Sequence, residues 1–206
     1  MHQAIPDIWF AFNTPLEGDV PRLYADVKGL ITCSMGILVD PMPAALAIDW
    51  ELPGGIPASK DVVARAWRAV KNDPKCAKLG WKYAAGLPEN NVRLSPETSR
   101  RLVLDKLESN DLRMRIRFPD WNDRPADAQL AIHSMAWAMG PMFFKKFPKF
   151  TAAFTRGDYE TASDQCAISP AYVTIVERNA RNSQLLLNAA HHGPNPEVLL
   201  WELPVT

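Results

Sequence analysis

The chain has 206 residues, of which 23 are Lys or Arg, 23 are Asp or Glu and 47% are hydrophobic. A formal charge of zero excludes a nucleic-acid binder that relies on bulk positive charge. The hydrophobic share excludes an acidic disordered chain and is enough for a packed core. Cys33, Cys76 and Cys166 are too few and too widely spaced for a disulfide framework or a zinc cage, and read as small buried hydrophobes.

The opening MHQAIPDIWFAF has no cationic start and no long apolar run, and no 18-residue apolar stretch occurs anywhere. Synthesis as a soluble cytosolic protein, without membrane insertion, is the expectation. Action elsewhere would require another carrier. With 18 Pro and only 10 Gly, short helices joined by Pro-punctuated connections are expected.

Residues 7–16 read as a helix with Ile8, Phe12 and Leu16 on one face, closed by Gly18 in a left-handed conformation. Residues 23–40 are β-branched and apolar with Gly29 and Gly36, which reads as a hairpin turning at Val27, Lys28 and Gly29. Residues 41–57 form a Pro-rich connector. Ser59 is an N-cap candidate for a helix through Ala64, Trp67 and Val70. Residues 72–93 read as mostly loop.

Ser95, Pro96 and Glu97 make a strong helix start, with the helix continuing to about residue 113 and burying Val103, Leu107 and Met114. Residues 128–140 are apolar on nearly every face, the pattern of a central core helix. Two short helices follow, split at Arg156, Gly157 and Asp158, and a last helix spans 178–190. Residues 191–206 form a partly apolar, packed tail. The expected fold is α+β and predominantly helical: a small N-terminal hairpin lobe and a larger helical lobe joined by the helix after Ser95.

The hairpin region gathers reactive groups. Glu17 ends the first helix, Asp26 lies on the first strand and Thr32 on the second. A carboxylic acid, a second carboxylate and a hydroxyl round one cleft are the set that inverting glycoside hydrolysis needs. The acid protonates the leaving oxygen, the carboxylate activates water from the opposite face, and the hydroxyl holds that water. A solvated turn is the competing reading of the same residues.

The segment LEGDVPRLYADVKGLITCSMG resembles the signature of the phage-type lysozymes, glycoside hydrolase family 24. In that family a Glu-Gly closes the first helix, an acidic residue or Cys follows after eight residues and a Thr after five more. Here the positions are Glu17, Asp26 and Thr32, with Tyr24, Gly29 and Gly36 at framework positions. The likeness resumes in LSPETSRRLVLDKL, SMAWAMG and the closing RGDYETASDQC and ERNARNSQLLL segments. It covers residues 6–44 and 94–190, leaving 45–93 as an insertion and 191–206 as a tail within one lysozyme-like domain.

The resemblance implies a muramidase that cuts the β-1,4 bond between N-acetylmuramic acid and N-acetylglucosamine, with peptidoglycan glycan strands as partner and no cofactor or metal. Glu17 would be the general acid, Asp26 the base and Thr32 the water-positioning hydroxyl. Arg178 resembles an Arg that the family brings to the catalytic Glu; a solvent-facing Arg at a helix start is the alternative. Tyr24 would flank the acids. Trp137 would line the groove as a sugar-stacking aromatic, or else sit in the core. Ser34 stands where a second strand Gly is common, Ile37 where some members are polar, and Ala138 where Asn or Gln is frequent. A lytic transglycosylase and a non-catalytic wall-binding or virion module are the competing functions. A monomer is expected. Either a phage lysin or a secreted effector, with its delivery or immunity partner, fits the missing export signal.

Other features carry less chemistry. His191 and His192 lack further ligands at helical spacing, His133 reads as a core histidine, and Cys33 has no nearby base. Gly54 and Gly55 form only a turn. Arg113, Arg115 and Arg117 alternate with apolar residues, as a solvated face or a partner-binding strip. Residues 1–58 carry two basic and seven acidic residues, and residues 59–93 carry eight basic and three acidic. Neutrality is thus a cancellation between neighbours, and Lys71, Lys75 and Lys78 are candidate contacts to anionic cell wall.

Overall fold

A computed structural model describes residues 1–169, 173–192 and 199–201. The chain divides into two compact units, a sheet unit of Glu17–Lys106 and a helical unit of Met1–Leu16 with Leu107–Thr206. Both divisions fall inside helices. The class is α+β, and no helix among the described residues is long and apolar enough to cross a membrane.

Helix α1 (Ile5–Glu17) buries Ile5, Trp9, Phe12 and Leu16, so its inward stripe runs through Trp9 rather than Ile8. Gly18, at φ 70°, ends it as expected. Strands β1 (Val20–Ala25), β2 (Ile31–Ser34) and β3 (Ile37–Leu38) then form an antiparallel sheet in the order β1-β2-β3. The hairpin is therefore extended by a third short strand. Its register pairs Tyr24 with Thr32, Thr32 with Leu38 and Cys33 with Ile37.

Helix α2 (Met42–Leu46) and a small ribbon of β4 (Glu51–Leu52) and β5 (Ile56–Pro57) occupy the Pro-rich connector. Ser59 caps α3 (Lys60–Asn72) by accepting from Val62 N at 3.4 Å. The loop reading of residues 72–93 is corrected: α4 (Pro74–Leu79) and α5 (Trp81–Ala85) lie there. Asp73 starts α4 by accepting from Lys75 N at 2.9 Å, and Gly80, at φ 76°, separates the two helices. Each is too short to show a helical period, which is why the pattern hid them.

Residues 45–93 are not a loose insertion. Helices α3, α4 and α5 all pack on β1. Trp67 Nε1 donates to Val39 O at 3.0 Å, Lys71 Nζ to Gly29 O at 2.9 Å, and buried Asn90 to Leu23 O and Ala84 O, each at 2.8 Å. These bonds tie residues 67–90 to β1, its following turn and the end of the sheet.

Helix α6 (Pro96–Arg117) begins at the Ser95 cap, which accepts from Thr98 N at 3.0 Å, and buries Val103, Leu107 and Met114. It continues to Arg117 because its stop is Phe118-Pro119, where proline disfavours helix in the residue before it. In the helical unit, α7 (Ala126–Met139) is buried at every position from Ala126 to Trp137. Helices α8 (Pro148–Thr155), α9 (Tyr159–Asp164) and α10 (Val173–His191) complete this unit. Phe118, Phe143, Phe144, Phe150 and Phe154 form its aromatic cluster. The start of α10 lies five residues before the expected one. Of the expected tail, Leu200 N donates to Asp127 Oδ2 at 3.0 Å and Trp201 meets Phe12 edge-on at 4.7 Å; residues 193–198 and 202–206 lie outside the described residues.

Candidate functional site

The residues singled out by spacing meet in the sheet unit. Glu17 is the last residue of α1 and is half-buried. Its Oε2 lies 3.8 Å from the place a Cβ on Gly36 would occupy, and Gly36 has φ 70°. Glycine there keeps a side chain off the carboxyl and accepts a backbone that others resist. Lys106 Nζ donates to Gly36 O at 3.2 Å.

Tyr24 and Thr32 face each other across β1 and β2. Thr32 is 6% exposed, and its Oγ1 donates to Tyr24 O at 3.4 Å. Burial is the largest influence on the Tyr24 phenol and pushes its pKa up. A hydrogen bond with the Thr32 side chain opposes that, and the Glu17 and Asp26 carboxylates add to it. Both carboxyls therefore act on one phenol that also bonds the threonine.

Asp26 has a second, architectural task. Its Oδ1 accepts from Lys28 N at 2.8 Å and Leu30 N at 2.9 Å, while its backbone N donates to Leu30 O at 2.9 Å. The side chain thus organises the turn through Val27, Lys28 and Gly29 that was expected there. Asp26 remains half-exposed.

Ser34 follows Thr32 by two residues and has φ 49°, a left-handed conformation. This is the position where the resemblance calls for Gly, and the backbone has the shape that glycine favours. Serine holds it through a relay: Ser34 and Ser99 hydroxyls are 2.6 Å apart, and Ser99 Oγ donates to Asp19 Oδ1 at 3.2 Å. Ser99 lies on α6 and Asp19 just after Gly18, so the relay braces both ends of the candidate site. Sequence reasoning missed Asp19 and Ser99; the Gly-for-Ser departure at Ser34 was the available signal.

The remaining site residues lie in the helical unit. Arg178 occupies the second turn of α10 and is 1% exposed, which overturns the alternative of a solvent-facing Arg at a helix start. Its guanidinium donates to Ser134 O and Ser134 Oγ, each at 3.0 Å, and to Asn13 Oδ1 at 3.3 Å. Trp137 is 6% exposed with Trp9 at 5.1 Å, a core position in that unit rather than an open sugar platform. Ala138, one residue on, is half-exposed.

Burial pushes the Cys33 thiol up to about 12, with Asp19 adding to the effect, so it stays protonated at neutral pH. All three cysteines are buried and free, as their hydrophobic reading expects. His133 is buried against Asp111 with Nε2 3.5 Å from Oδ1; burial lowers its pKa and Asp111 opposes. Among the described residues no cluster of three or more His, Cys, Asp or Glu is arranged to hold a metal ion. Lys71 is committed to Asp40 and Gly29 O, which corrects its reading as a free wall contact; Lys75 and Lys78 are exposed.

No protein-family model matches the chain, and no curated protein matches it. The sheet unit holds one half-buried carboxyl, one half-exposed carboxylate on a hydrogen-bonded turn, and a threonine hydroxyl opposite the half-buried Tyr24.

Proposed function

We propose that the protein is a peptidoglycan hydrolase of the muramidase type with a lysozyme-like fold, acting on glycan strands of the bacterial cell wall. The observation that carries this reading is the placement of Glu17 at the end of α1 beside Gly36, Asp26 on the turn after β1 and Thr32 on β2 opposite Tyr24, at the spacing read from the sequence. Glu17, partly shielded from water, donates a proton to the glycosidic oxygen. The free oxygen of Asp26 takes a proton from water as that water attacks the anomeric carbon from the opposite face. Thr32 fixes the direction of attack by holding the same water. No cofactor takes part in this reading.

The test is digestion of purified peptidoglycan by wild type and Glu17→Gln, with products read by mass spectrometry. Wild type releases reducing muropeptides, and the variant does not. Undiminished release by Glu17→Gln overturns the reading. One observation favours a second reading: Asp26 Oδ1 is committed to the turn, so Asp26 is partly structural. A lytic transglycosylase uses the acid without a water-activating base. Products ending in 1,6-anhydro rings would identify it.

A further inference from the structure

The arginine strip near the end of α6 separates into two roles. Arg115 Nε bonds Asp111 Oδ2 at 2.7 Å and is spent inside the helical unit. Arg113 and Arg117, one helical turn apart, instead border a cavity of about 650 Å³ together with Lys145. Its walls include Met142, Phe144 and Ala152, and it has no acidic residue in its lining. Among the described residues no ion pair engages Arg113, Arg117 or Lys145.

The neutral polar groups of the wall are already satisfied. Thr151 Oγ1 donates to Phe147 O at 2.8 Å and Thr155 Oγ1 to Thr151 O at 2.7 Å. Arg117 rests 5.2 Å from the Phe118 ring and 5.9 Å from the Phe144 ring, so its charge is held over an apolar floor. Unspent charge at the rim and hydrocarbon inside describe an anion with an apolar body.

The same character continues past the cavity mouth. Ile116 is 83% exposed and Leu112 57%, each next to a lining arginine in sequence, and Lys146 and Lys149 are exposed beside Lys145 in sequence. A small ligand has no use for apolar side chains outside its pocket. A surface carrying both anions and hydrocarbon does: large apolar residues enter the interfacial layer while lysines and arginines pair with headgroups.

We propose that this face of the helical unit binds an anionic phospholipid bilayer, with one lipid phosphate between Arg113, Arg117 and Lys145 and its apolar portion against Met142, Phe144 and Ala152. The association is peripheral, and it does not depend on the activity assigned to Glu17.

The test is sedimentation of the full chain with vesicles of phosphatidylglycerol or phosphatidylcholine, scored by bound fraction against lipid concentration and salt. Wild type binds phosphatidylglycerol vesicles, releases them as salt rises, and ignores phosphatidylcholine. Combined Arg113→Gln, Arg117→Gln and Lys145→Gln weakens binding about 100-fold. Ala152→Trp, which fills the cavity and leaves every charge in place, weakens it roughly tenfold. Combined Lys75→Gln, Lys78→Gln and Lys82→Gln removes as much charge from the sheet unit and leaves binding intact.

Equal binding to both lipids, binding to neither, wild-type binding by Ala152→Trp, or equal loss in the sheet-unit variant overturns the proposal. So does saturable binding of monomeric dodecyl phosphate without binding to vesicles, which makes the cavity a small-ligand pocket. Thermal melting of each variant separates lost binding from lost fold.

Discussion

The two units use their buried polar groups in opposite ways. In the sheet unit the buried polar side chains are Thr32, Ser34, Asn90 and Ser99, all neutral, while Glu17 and Asp26 stay half-buried. In the helical unit full charges go inside: Asp111, Arg124, Asp127 and Arg178 are buried. Asp111 alone accepts from Trp121 Nε1 at 2.7 Å and Arg115 Nε at 2.7 Å and meets the α-amino group of Met1 at 2.8 Å. A charge enclosed by that many donors fixes packing and is lost to chemistry, whereas the Glu17 and Asp26 carboxyls of the sheet unit stay half-buried beside neutral buried groups.

That contrast predicts a clean separation of phenotypes. If the proposed function holds, Glu17→Gln should lower peptidoglycan turnover about 10²–10⁴-fold with a small change in melting temperature, since it removes the proposed general acid and keeps the side chain's size. Asp111→Ala should do the reverse, because removing one partner strands the other buried charges; the loss is about 3–5 kcal/mol. Chemical denaturation with activity measured per folded molecule reads both. A stability loss in Glu17→Gln comparable to that in Asp111→Ala would erase the distinction between the units.

Asp26 lies on the border between the two behaviours, and a pair of substitutions divides its roles. Asp26→Asn keeps an oxygen that accepts from Lys28 N and Leu30 N but removes the base. Asp26→Ala removes both. Each should lose turnover, and only Asp26→Ala should also lose about 1–2 kcal/mol of stability with the turn. If Asp26→Asn retained full turnover, its role would be the turn alone.

Ser34 tests the neutral brace. Ser34→Val puts a β-branched side chain at φ 49° and breaks the relay to Ser99 and Asp19, at a cost of roughly 2–3 kcal/mol. Ser34→Gly relieves the backbone while losing the same hydroxyl, so its net effect should stay within about 1 kcal/mol. Equal melting temperatures for the two variants would mean that the backbone conformation carries no cost.

These residues also show what the sequence made legible. The caps at Ser59 and Ser95 are local features, and both follow from the sequence; Asp26, expected on the first strand, lies one residue past it in the turn. The core face of α6 followed from its period. The short helices α4 and α5 escaped because one or two turns carry no measurable period, and α10 was started too late because Arg178 looked like a beginning rather than a buried second-turn residue. The relay from Ser34 through Ser99 to Asp19 and the Lys71–Asp40 pair were not legible, since each joins residues brought together only by tertiary packing. Lys71 counted as loose surface charge until its partner was known.

The smallest expected effect is the pH response of that last pair. The hydrogen bond from Lys71 is the chief reason the Asp40 carboxyl titrates below its ordinary value of 3.8; burial opposes it, and the backbone N–H of Ile31 assists. A carboxyl depressed in the folded state contributes stability that is complete above its unfolded value and fades as the pH falls through its folded value. The sheet unit should therefore begin to lose this contribution just below pH 4. In the helical unit, burial would raise Asp111, but His133, the N-terminal amino group, Trp121 and Arg115 together hold it much further down, so its contribution persists into stronger acid. Melting followed from pH 6 to pH 2, with Trp67 fluorescence for the sheet unit and Trp121 for the helical unit in single-tryptophan variants, should show the sheet unit weakening first. Lys71→Met should flatten that early decline and leave the later one in place. An acid response of the sheet unit that is identical in Lys71→Met would show that some other carboxylate governs it.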